Sequence, residues 1–280
     1  MTTTTAPERT DPAAPPATAP PAGPGAWRRI AAAGWPPAAF ALLLGAGWQL
    51  MAVLADSVLV PGLGEIADRF GEIVVGGDVL GELGVTLARV CLGFALAFAA
   101  ALVVGIAMGR HPVVRRFFEP AVLLGLTVPG LVWALLCVIW FGVGLANPVL
   151  AVALSAAPAL TLNVYQGIRA LPGELLEMTH VYRFSPWRRL RYLWLPALQP
   201  ALFSGARLGL SLSWKVIVLV EIFGLSSGVG YQLNNEFAAQ SVAGVLSWTL
   251  LFGAVMALLE YGLLQNLERR LTRWRKAVSV

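Results

Sequence analysis

Six stretches of about twenty apolar residues, each long enough to cross a bilayer as a helix, constrain this chain more than any other feature. They run approximately from Trp35 to Ala55, Thr86 to Met108, Pro120 to Trp140, Asn147 to Gln166, Ala197 to Phe223 and Val242 to Leu264. In hydrocarbon every backbone N–H and C=O must be satisfied within the protein, so such stretches become helices. Composition agrees: 58% of the 280 residues are hydrophobic and only 12% charged, against about 25% charged in a soluble domain. The expected fold class is an all-α membrane protein with six transmembrane helices. Gly93, Gly105, Gly205 and Gly209 recur inside the stretches, as close helix packing in lipid requires.

Charge then orients the bundle. All the basic residues except Arg69, Arg89, Arg207 and Lys215 fall in segments that share one side if the N-terminus is cytoplasmic. The positive-inside rule therefore places both termini in the cytoplasm. The net charge of +5 is accounted for by orientation and implies no nucleic-acid partner. Residues 1–26, rich in Thr, Pro and Ala, read as a disordered cytoplasmic tail. They lack the basic start and apolar core of a secretory signal. Residues 269–280 read as a basic cytoplasmic C-terminus. Between the first two stretches, Glu65 to Val75 reads as an amphipathic helix on the external side. It either lies at the lipid surface or offers a landing surface to an external partner, and the first reading is preferred. Cys91 and Cys137 both sit in apolar stretches and read as small buried hydrophobes.

No catalytic chemistry is visible. The only lysines, Lys215 and Lys276, follow no glycine, so no phosphate-cradling Gly-Lys loop exists. The two histidines fall outside the apolar stretches, and neither a nucleophile elbow nor a zinc-protease pattern occurs. No catalytic residue and no metal site are assigned. Four ionisable groups within or beside the spans stand out instead: Arg89, Arg207, Lys215 and Glu221. Charge at that depth either lines a pathway or pairs structurally; a cationic lining for an anionic solute and a helix-pinning ion pair both fit. After Glu221, the run Gly224, Ser226, Ser227, Gly228, Gly230 and Tyr231 is too rich in glycine for a helix interior. It reads as a turn at the outer mouth, either reversing the chain or presenting backbone N–H groups to a polar ligand.

The segment from Arg169 to Pro196 interrupts the apolar pattern with a compact polar projection, far longer than the two to eight residues an ordinary helix connection uses. Pro172 suits a helix first turn, with Glu174 and Glu177 where the helix dipole favours acid. Leu175, Met178 and Tyr182 give that helix one apolar face. Ser185 and Pro186 read as an N-cap and first helical position, and a second short helix is expected to run to Leu193 and stop at Pro196.

These residues resemble a known family. Glu177, followed by Met178, Thr179, Arg183, Leu193, Leu195 and Pro196, is similar to the coupling motif Glu-Ala-Ala-x3-Gly-x9-Ile-x-Leu-Pro of binding-protein-dependent ABC transporter permeases of the nitrate/sulfonate/taurine kind. Thr86 to Phe94, Glu119-Pro120, Val128-Pro129, Trp140 to Gly144, Ser185-x-Trp187 and Glu221 to Tyr231 resemble other family segments in order. Met178 and Thr179 replace the alanines, and Arg183 replaces a glycine that would ease a positive φ. The resemblance implies a type-1 importer permease. Residues 27–80 would form the first transmembrane helix and external segment, and residues 81–268 the permease domain. Its coupling loop would span residues 169–196. It further implies a bacterial inner-membrane location, a second copy of this chain and cytoplasmic ATPase subunits that bind ATP and Mg. An external solute-binding protein and a small solute, an anion such as a sulfonate, taurine or nitrate, complete the implied system. A secondary transporter or channel acting without an ATPase is the alternative.

Overall fold

In the computed structural model, residues 26–57 and 59–266 are described; all but the last residue of the expected N-terminal tail, and the basic C-terminus, lie outside them. Helix α1 spans Ala26–Ala55, starting earlier than the apolar stretch. The chain divides after Leu54 into two compact units. Along α1, Phe40, Leu42, Leu43 and Leu44 are exposed, the arrangement expected where lipid is the solvent.

The second unit begins with α2 (Leu63–Gly76) and α3 (Val79–Arg110), whose N-cap Asp78 accepts from the Gly81 N–H. The single helix expected over Pro120–Trp140 is instead two, α4 (Pro112–Thr127) and α5 (Gly130–Phe141), bent by 101°. The cause is local: Pro129 supplies no N–H, and Val128 before it is forced to the extended ψ of 121°. Helix α6 (Ala146–Arg169) follows. Among the described residues, four helices are long and apolar enough to cross a membrane. Two bent pairs raise that to six if each pair is one crossing.

Helix α6 packs most extensively with α3 on one side and with α9 (Leu195–Gly224) on the other. Small residues make both seams. A Cβ added at Gly93 would lie 2.6 Å from Cβ of Val152, and one at Gly209 2.9 Å from Leu160. A side chain at either position would force the helices apart, typically costing 1–3 kcal/mol, as order of magnitude. Cys137 is buried among Ala134, Ala151, Val216 and Val220 as expected. Cys91 is exposed, contrary to expectation, because it lies on the face of α3 turned away from α6.

Two further expectations are corrected. Pro196 does not end a helix. Helices α7 (Gly173–Val181) and α8 (Pro186–Arg189) are followed by a π-helical turn, Leu190–Trp194, that runs directly into α9. The wider turn accommodates a residue with no N–H to donate. Second, residues 224–231 are not all turn. Helix α10 (Val229–Ala238) begins within them and bends from α9 by 53° rather than reversing the chain. Helix α2, expected as an amphipathic external helix, also packs on protein. Ile73 is buried with Val79, Leu83, Val229, Trp248 and Leu251, and the Ser247 hydroxyl donates to the Ile66 carbonyl at 3.1 Å. Ser247, Trp248 and Leu251 belong to α11 (Val242–Ala257), whose N-cap is Ser241; a second π-helical segment, Leu258–Leu264, continues it. Protein covers Ile66 and Ile73 of α2, while Leu63, Phe70 and Val74 stay exposed.

Candidate functional site

Two of the four singled-out charges pair with each other. The Arg89 guanidinium donates to Glu221 Oε1 at 2.7 Å and to the carbonyl and hydroxyl of Ser227 at 2.8 Å each. Glu221 has no solvent exposure. Its carboxylate also accepts from the Thr86 hydroxyl at 3.0 Å and from the Gly230 N–H at 2.9 Å. Thr86 in turn accepts from the Val229 N–H at 2.9 Å. Glu82 accepts from the Gly228 N–H and from the Gln232 side-chain amide. The N–H groups of Gly228, Val229 and Gly230 at the start of α10 are thus taken by side chains from α3 and α9, and the helix dipole favours the two carboxylates there.

Gly228 has a φ of 103°, and a side chain there would strike the Glu221 carboxylate; only glycine meets both demands. At Gly230 a Cβ would lie 2.5 Å from the Val218 carbonyl oxygen. The glycines expected to form a turn at the outer mouth let α10 press onto the end of α9, and the Gly228 and Gly230 N–H groups that could have met a polar ligand are taken. Ser226 is exposed, while Tyr231 lies inside α10. Glu82 and Gln232 escaped the sequence reading. Glu82, Thr86 and Arg89 sit at i, i+4 and i+7, one polar face at the start of an otherwise apolar helix, which was the available signal.

A second link reaches α10 from α2. Arg69 donates to Glu72 at 2.9 Å and to Glu236 at 2.6 Å. Those hydrogen bonds, to Glu72 first and then Glu236, hold its guanidinium above the ordinary arginine range.

The other two charges lie apart. Arg207 Nε stands 3.9 Å from Glu260 Oε1, with both side chains partly exposed. Lys215 is exposed and forms no ion pair among the described residues. Ser204, Leu208, Ser211 and Lys215 recur at spacings of four, three and four and so share one face of α9.

At the opposite end of α9 stands the loop expected to couple. Ser185 caps α8, accepting from the Arg188 N–H at 3.3 Å. Arg183 has a φ of 47°, so the chain makes the glycine-like turn here with a non-glycine residue, and the Phe184 N–H donates to the Thr179 carbonyl at 3.0 Å. Thr179 and Leu193 are buried, and Pro196 is half-buried. Glu174, Glu177 and Arg183 are exposed, and so are the apolar Leu175, Met178, Val181, Tyr182, Trp187 and Tyr192.

Residues 97–273 match the family described as binding-protein-dependent transport system inner membrane component. The chain is 31% identical over 200 residues to the taurine transport system permease protein TauC of Escherichia coli (strain K12), covering 71% of this chain and 72% of that protein. It is 30% identical over 240 residues to the riboflavin transport system permease protein RibX of Chloroflexus aurantiacus, covering 83% and 87%. SsuC of Bacillus subtilis (strain 168), provisionally named an aliphatic sulfonates transport permease, is 30% identical over 232 residues, covering 82% and 84%. A chain of the MetNI methionine ABC transporter, in inward facing conformations, superposes with a TM-score of 0.60 at 18% identity. That match covers 67% of this chain and 93% of that one and bears on the fold alone. By its family match and its relatives, the chain belongs to the binding-protein-dependent transport system inner membrane components, as a multi-pass, non-catalytic permease subunit of an ABC importer.

Proposed function

We propose that two copies of this chain form the translocation path of an importer for a small anion, driven by cytoplasmic ATPase subunits that dock on residues 169–196. The observation that carries this reading is the exposed apolar surface of that segment. Leu175, Met178, Val181, Tyr182, Trp187 and Tyr192 stand in solvent on a projection built from two short helices. An exposed apolar cluster with a charged rim is the signature of a protein–protein contact. Glu174, Glu177 and Arg183 supply that rim. ATP and Mg would be held by the ATPase, and closure of its two copies would push on α7 and α8 as rigid bodies. Both termini would be cytoplasmic, and an external binding protein would deliver the solute.

An anion is supported by Lys215, a cation left open on a membrane-buried face of α9. It is also supported by two relatives named for taurine and for aliphatic sulfonates; both of these solutes carry a sulfonate group. The second copy is supported by the same open face, since a polar stripe on a span needs water or protein opposite it.

Reconstitution of the permease with its ATPase and binding protein in proteoliposomes tests the reading. Glu177→Lys should lower ATP-driven uptake by about tenfold or more, as a reversed charge at a docking rim does, while ATP hydrolysis and membrane insertion persist. Unchanged uptake would remove the docking role from this loop.

A further inference from the structure

A basic pocket lies where the ends of α3 and α6 meet the start of α9, apart from the coupling loop's exposed face and from the Lys215 stripe. It has a volume of about 360 Å³ and is lined by Gly109, Arg110, Ile168, Arg169, Leu171 and Trp194. The glycine builds it: a Cβ at Gly109 would lie 2.5 Å from Cγ2 of Ile168. The two helices therefore close tightly at their ends and bring the arginines that terminate them to one pocket. Arg110 lies over the Trp194 ring, 5.4 Å from its centroid. Arg110 and Arg169 are both exposed, and neither forms an ion pair with a described residue. Two guanidinium groups left without a carboxylate, above apolar walls from Ile168, Leu171 and an indole, ask for an anion that carries a hydrocarbon part.

We propose that this pocket binds the phosphate headgroup of an anionic membrane lipid. At ~30 Å³ per water, the volume admits a phosphodiester with several waters. Arginine matches its oxygens in bidentate geometry, and tryptophan favours the membrane–water boundary. Basic pockets between transmembrane helices on the cytoplasmic side take acidic headgroups for these reasons. Trp194 ends the π-helical turn that joins the coupling loop to α9, so a bound headgroup would brace the base of that loop. The leaflet follows the sidedness proposed above, but binding itself depends on neither sidedness nor transport, and lipid binding can be measured without them.

The test is native mass spectrometry of the purified full chain in detergent. It would be titrated with dioleoylphosphatidylglycerol, with dioleoylphosphatidylcholine as the zwitterionic control. The expected result is one saturable phosphatidylglycerol per chain, not matched by phosphatidylcholine. Each basic residue near an anionic surface contributes roughly a factor of five. Arg110→Gln with Arg169→Gln should therefore weaken this binding roughly thirtyfold. Arg169→Gln alone touches no described partner, leaves the fold intact and should weaken it about fivefold. Trp194→Phe should retain it. Equal retention of the two lipids, or of phosphatidylglycerol by wild type and double variant, would overturn the proposal. Displacement of the lipid by millimolar inorganic phosphate would reassign the pocket to a soluble anion and overturn it as well. So would a double variant that keeps the lipid yet no longer co-purifies with its ATPase, since the arginines would then belong to that interface.

Discussion

Burying Glu221 without any solvent exposure removes several kcal/mol of hydration, as order of magnitude, which one arginine alone seldom offsets. Here Thr86 and the Gly230 N–H complete the carboxylate's hydrogen bonding, so three donors hold the group rather than charge alone. Arg89→Met should destabilise the protein by about 3–5 kcal/mol, because it strands a buried carboxylate. Glu221→Gln in the same chain should restore part of the loss, since the amide oxygen still accepts from Gly230 while the uncompensated charge is gone. Denaturant unfolding of the purified protein, compared among wild type, the two single variants and the double, gives the coupling between them. Additive effects would mean that Arg89 and Glu221 are held independently and that the pair does not pin α3 to α9. Arg207 and Glu260, 3.9 Å apart and partly exposed, should contribute at most about 1 kcal/mol.

At the scale of elements, the legible parts of this chain were those encoded locally. Helices α3 and α6 announced themselves by apolar length, and their seams by Gly93 and Gly105. The bend at Pro129 was written in Val128-Pro129 but hidden by hydropathy, which does not fall across it. Helix α10 could not be read, because its cap is supplied from about 145 residues away in sequence by Glu82 and Thr86; a glycine- and serine-rich run then looked like a loop. The turn at Arg183 is intermediate. Its glycine-like role followed from the motif, and the structure shows the positive φ with an arginine accepting the strain, about 1–2 kcal/mol for a left-handed residue. Arg183→Gly should therefore leave the α7–α8 turn as stable or stabilise it by up to about 1 kcal/mol. Arg183→Val should loosen it, because a β-branched residue tolerates this region worst. Amide hydrogen exchange at Phe184, whose N–H closes the turn, reads the order directly. Faster exchange in Arg183→Gly than in wild type would show that the arginine's charge, rather than its backbone, holds the turn.

Across the whole molecule, α9 is the element that joins the two ends. It leaves the projecting loop through a π-helical turn, continues for 30 residues, or ~45 Å, and carries Glu221 in its last turn, in the ion pair with α3. A push on α7 and α8 would therefore reach the Arg89–Glu221 pair through one continuous helix, with Lys215 roughly 14 Å short of its far end. A lysine facing hydrocarbon at such a depth costs about 2.5–3.5 kcal/mol on insertion scales; facing a water-filled path between two copies, it costs far less and attracts anions. Lys215→Ala should accordingly lower uptake of a sulfonate by about tenfold in proteoliposomes, with ATP hydrolysis retained, since one cation near the solute is worth about 1–2 kcal/mol. Lys215→Arg should keep most of the transport, because it preserves the charge. If Lys215→Ala transports like wild type, the open face of α9 looks onto lipid, and the path proposed between two copies would have to be lined by another helix.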